Sequence, residues 1–160
     1  MRLRAGIGGA LLLATLCVVT AYAGQRAMVV PSSRDKCPVC GMFVKKYPDW
    51  MAQVVFKDGS YAVFDGAKDL FKALHDPGRF LPGRRQADID SVYVTDYYNL
   101  RPTDGRTAFY VIGSDVYGPM GKELVPFGNE ADAKEFLKDH KGREILRFGD
   151  VKADHLRGLD

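Results

Sequence analysis

Ala52-Gln53-Val54-Val55-Phe56, Lys57-Asp58-Gly59-Ser60 and Tyr61-Ala62-Val63-Phe64 are two β-rich runs on either side of an Asp-Gly turn, and this stretch decides the fold class. Val, Phe and Tyr suit a pleated surface, and glycine accepts the positive φ that a tight hairpin requires. Asp65 follows as a candidate helix cap. Ala67, Leu70, Phe71 and Leu74 then recur at near-helical spacing until Pro77-Gly78 ends the element. A loop with Pro82, Gly83, Arg84 and Arg85 leads to a further strand, Ser91-Val92-Tyr93-Val94-Thr95.

After residues 99–105 the order starts again. Residues 107–112 read as a strand, Tyr117-Gly118-Pro119-Met120-Gly121 as a turn and residues 123–127 as a second strand. Asn129 is the expected cap of a helix whose face carries Ala133, Phe136, Leu137 and His140; Gly142 closes it, and residues 144–148 form the last strand. The fold class is therefore α+β: two related ββα(β) units, antiparallel hairpins with helices packed on one side, a duplication with little residue identity between its halves. The halves fall at about 37–98 and 105–151, within one domain over 37–151. Residues 24–36, with Pro31-Ser32-Ser33, read as an extended linker, and residues 152–160 as a charged tail.

Met1-Arg2-Leu3-Arg4, an apolar run over residues 7–19 and Ala21-Tyr22-Ala23 give the order of a secretory signal, with cleavage expected after Ala23. The apolar run is short for a bilayer span of about 20 residues, so an uncleaved signal serving as a membrane anchor is the lesser reading. Cys17 follows the bulky Leu16, which argues against lipidation. The expected location is the periplasm. The chain holds 23 basic and 20 acidic residues, and losing Arg2 and Arg4 brings the two nearly into balance. No basic arm or stripe is present, which excludes nucleic acid as a partner. No nucleophile–base pair and no phosphate-binding loop is legible, so the chain does not read as an enzyme.

Cys37-Pro38-Val39-Cys40-Gly41-Met42 carries two thiols and a thioether in six residues. In Cys-Pro-x-Cys-Gly the chain turns tightly, and glycine supplies the backbone angles that aim amide N–H groups at sulfur. Three chemistries use such a knuckle. Structural zinc needs four ligands, and with no second Cys pair His75, His140 or His155 would have to complete the set. Thiol–disulfide exchange, or a merely protective Cys37–Cys40 disulfide, is permitted in an exported protein, but no strand precedes the motif as in thioredoxin-like sites. Cu(I) accepts two or three soft ligands, so Cys37, Cys40 and Met42 suffice. Met120, between Gly118-Pro119 and Gly121, either offers a further thioether or folds back over its hairpin.

Cys37-Pro-Val-Cys40-Gly-Met42, Gly118-Pro119-Met120-Gly121-Lys-Glu123, Val125-Pro126-Phe127 and a helix with Ala133 and Phe136 together resemble the NosL-like nitrous oxide reductase accessory proteins. The resemblance covers nearly the whole mature chain. It implies a Cu(I) metallochaperone outside the cytoplasmic membrane, monomeric or bridged into a dimer by copper. Its expected partners are nitrous oxide reductase or an ABC-type maturation system. Carried over, Cys40 and Met42 match the family's Cys-Gly-Met, Cys37 is the extra thiol of the two-Cys form, and Met120 matches the second-half turn. The signal departs from the lipoprotein signals of many members.

Overall fold

The structure, a computed structural model, describes residues 24–159. The expected signal segment at residues 1–23 lies outside the described residues. Strand β1 (Ala52–Phe56) and β2 (Tyr61–Phe64) form the hairpin expected at Asp58-Gly59, with Val54 opposite Ala62 and Gly59 at φ 86°. Helix α1 (Ala67–His75) and the short α2 (Pro77–Phe80) follow, then β3 (Ile89–Thr95) and β4 (Pro102–Asp104). All neighbours are antiparallel, in the order β2-β1-β3-β4.

The second unit repeats the plan. Its strand β5 (Phe109–Ile112) is followed by the small hairpin β6 (Tyr117–Gly118) and β7 (Gly121–Lys122), then by β8 (Val125–Phe127), α3 (Glu130–Asp139), β9 (Glu144–Arg147) and α4 (Ala153–Arg157). Its sheet runs β8-β5-β9. In each unit the first strand is central, flanked by the second strand on one side and by the strand after the helix on the other. The duplication thus survives in topology where side-chain identity has been lost. Helix α1 packs on β1 and β2, and α3 on β5, β8 and β9.

One apolar core runs through both units, from Val54, Phe64 and Leu70 to Tyr110, Ile112 and Leu146. Phe71 meets Tyr110 edge-on across the seam, at 5.0 Å between ring centres. A smaller cluster of Val111, Val125, Phe127, Ala133 and Phe136 lies beneath α3.

Two segments differ from the sequence reading. Residues expected to form a charged tail instead make α4, with Leu156 and Leu159 buried in the main core. Burying a leucine contributes ~1.5–3 kcal/mol, so the two together favour the docked segment over a free tail. The expected linker is extended, yet it is fastened across the sheet. Gln25 reaches Asp104, the Arg26 amide donates to Asp90, and the Gln53 side chain clamps both backbone groups of Val29 at 2.7 and 2.8 Å. This cover explains why β1 is buried along its whole length, with Gln53 included, where a half-exposed strand would alternate.

Candidate metal centre

The knuckle forms as its residues dictate. The Cys37 amide donates to the Met42 carbonyl at 2.8 Å and the Gly41 amide to the Cys37 carbonyl at 2.9 Å, with Gly41 at φ 79°. Lys36 and Phe43 close the turn as an antiparallel bridge. Backbone amides of Val39 and Cys40 face the Cys37 sulfur, and that of Met42 faces the Cys40 sulfur.

Two carboxylates meet these thiols. Asp65 stands where β2 passes into α1, and Asp69 lies in the first turn of α1. Cys37 Sγ donates to Asp69 Oδ2 and Cys40 Sγ to Asp65 Oδ1, each at 3.2 Å. One donor atom from each of Cys37, Cys40, Asp65 and Asp69 lies within 4.8 Å of every other. Cys37, Asp65 and Asp69 are buried, while Cys40 is half-buried and gives the centre its access to solvent. Both cysteines are free.

Asp65 Oδ2 is buried without a hydrogen-bond partner. A buried acceptor left in this state calls for a physical reason, and a cation among the four donors supplies one. Burial pushes the Cys40 thiol up to about 12 and the Cys37 thiol higher still, against the opposing pull of the backbone amides. Burial likewise raises Asp69, whose hydrogen bonds from Cys37 and Cys40 pull it back down. The two thiols are therefore held protonated without metal, and an entering cation exchanges with their protons.

The structure joins Cys37 and Cys40 as the sequence implied and keeps Met42, half-buried, in the same knuckle. Met120 lies outside the four-donor group, 45% exposed at the tip of the β6–β7 hairpin. The sequence reading missed both carboxylates as donors. Asp65 does not cap α1: the N-cap is Gly66, with no side-chain bond of its own, and Asp65 turns to Cys40. The histidines are also engaged elsewhere. His75 bonds the Val151 carbonyl, His140 bonds Asp115, and His155 accepts from the Lys152 amide. The available signal was the i,i+4 pair Asp65 and Asp69 at the start of a helix.

An α+β domain of two repeated units, one of them carrying a buried thiol–carboxylate cluster that could hold a cation, defines a candidate metal-handling protein. The sequence profile of the NosL family matches residues 28–156, and the chain belongs to that family. It is 33% identical over 125 residues to the copper-binding lipoprotein NosL of Stutzerimonas stutzeri, covering 73% of this chain. The chain spans 62% of that relative's length. In fold it is similar to the copper chaperone NosL from Shewanella denitrificans, with a TM-score of 0.67 over 82% of this chain and 98% of that one, at 24% identity.

Proposed function

We propose that this protein carries copper as Cu(I), held by Cys37 and Cys40 with Met42 as a weaker third ligand, and releases it to an acceptor by ligand exchange. The observation that carries this reading is the pair of free thiols held in one knuckle, with the Met42 thioether in the same turn. Soft thiolates select Cu(I), and low coordination lets an incoming ligand displace one donor at a time. The Stutzerimonas and Shewanella relatives, named for copper binding and for a copper chaperone, support the same cargo. The same reading extends to delivery toward nitrous oxide reductase maturation outside the cytoplasmic membrane, which membership of the NosL family supports. Among the described residues no helix is long and apolar enough to cross a membrane.

Thiol–disulfide exchange fits less well. A nucleophilic cysteine needs a lowered pKa, and burial moves both thiols the other way. A second cargo is favoured by one observation: Asp65 and Asp69 complete a Cys2Asp2 set of four, which satisfies zinc(II) where two thiols alone would not. The test is an anaerobic Cu(I) titration of the reduced protein against a chromophoric chelator, with zinc(II) in parallel. Tight one-site Cu(I) binding, lost by orders of magnitude in Cys37→Ser and Cys40→Ser, is expected. Unchanged affinity in both variants would end the proposal, and zinc outcompeting Cu(I) would replace the cargo.

A further inference from the structure

Two buried ionisable side chains outside the four-donor cluster join the halves of the molecule at the N-terminal end of α1. Lys68 is 3% exposed, and its Nζ donates to the backbone carbonyl of Met120 at 2.8 Å and to that of Leu159 at 3.3 Å. Glu123, next after β7, is also buried. Its Oε1 accepts the Lys68 amide at 2.5 Å and its own neighbour's amide, Leu124, at 3.0 Å. This carboxyl is the cap that α1 lacks locally. Its closeness requires bare backbone on both sides: a Cβ on Gly66 would fall 2.2 Å from Glu123 Oε2, and one on Gly118 would fall 3.1 Å from Glu123 Cγ.

Burying an ammonium and a carboxyl at one junction is unfavourable relative to an apolar pair of the same volume, so stability alone is a poor reason for them. Geometry is a better one. Lys68 precedes Asp69 in the helix, and the atom it holds belongs to the residue at the tip of the β6–β7 hairpin. The hairpin is only two residues long on each arm, with Gly121 at φ 88°, so its own ladder fixes little.

We propose that Lys68 and Glu123 are positioning residues: they seat the Met120 turn on the N-terminal turn of α1, beside the Cys37–Cys40–Asp65–Asp69 centre, so that its thioether meets copper entering or leaving. The inference rests on the Cu(I) reading above. The exposed Met120 side chain is then an outer ligand, held at its backbone and free at its sulfur.

The experiment follows the Met120 methyl resonance and Cu(I) affinity in the full mature chain and in the variants Met120→Ala, Lys68→Met, Glu123→Ala and Glu123→Gln. In the metal-free protein, Lys68→Met and Glu123→Ala should average the Met120 methyl toward its random-coil shift, while Glu123→Gln, which keeps an acceptor oxygen, should leave it in place. With Cu(I), the methyl should shift in the parent protein and not in Lys68→Met. Met120→Ala and Lys68→Met should each weaken binding by about tenfold, and the double variant by no more than either alone. A Met120 methyl unchanged by Lys68→Met and Glu123→Ala in folded, metal-free protein would overturn the positioning role. Additive losses of affinity would do the same. Failure of the parent protein to bind Cu(I) would instead remove the copper reading, and the metal-free comparison would still decide the positioning.

Discussion

Among single residues, Asp65 and Asp69 alter the metal argument most. Two thiols and a thioether describe a soft site, whereas two thiols and two carboxylates describe a borderline one. Which description governs depends on whether the carboxylates ligate or merely accept the thiol protons, and the two cargoes respond differently. Zinc(II) uses carboxylate oxygen readily; Cu(I) does not. Asp65→Asn and Asp69→Asn should therefore lower zinc affinity by about 10–100-fold while changing Cu(I) affinity by less than about tenfold. Parallel competition titrations of both ions measure this. An equal loss for the two would mean that the aspartates act on the thiols alone.

At the level of elements, the two long helices carry caps of opposite kind, and the contrast explains what the sequence could disclose. Helix α3 is capped by Asn129, whose side chain accepts the Asp132 amide at 2.9 Å, three residues on. That cap is local and was legible. Helix α1 is capped by Glu123, 55 residues away in the chain, so no window of sequence around Asp65 contains it. The same distinction holds for the centre. The Cys37–Met42 knuckle is a run of consecutive residues and announced itself, while Asp65 and Asp69 join it only because β2 and α1 fold back over it. One asparagine change and one glycine change separate these cases. Asn129→Ala should destabilise by about 1 kcal/mol in denaturant unfolding and leave metal affinity alone. Gly66→Ala places a Cβ where Glu123 Oε2 lies, so it should destabilise by about 1–3 kcal/mol and also weaken metal binding, because the turn carrying Asp69 must shift. Equal metal affinity in the two variants would separate the α1 cap from the centre.

Across the whole molecule, the two units share one core and one seam, and Glu123 sits at that seam with α1 on one side and the β6–β7 hairpin on the other. Unfolding should accordingly be a single transition, and the ionisation of Glu123 should act on all of it. Burial raises this carboxyl from an ordinary 4.5 to about 8. Below pH 4.5 it is protonated in both the folded and the unfolded chain and contributes no pH dependence. Between pH 4.5 and about 8 the unfolded chain releases a proton that the folded chain keeps, so stability falls as pH rises; above that range the loss is complete. Asp69, also raised by burial, acts in the same direction. The lowered carboxylates Asp35, Asp58, Asp88, Asp90 and Glu130 act in the opposite sense, but at more acidic pH, where the unfolded chain protonates first. Over pH 5–8 they are ionised in both states and drop out. Metal-free protein should therefore melt at a lower temperature at pH 8 than at pH 5, and Glu123→Gln, which cannot ionise, should flatten that slope and leave the part due to Asp69. An identical slope in the variant would place the pH dependence elsewhere than at the seam.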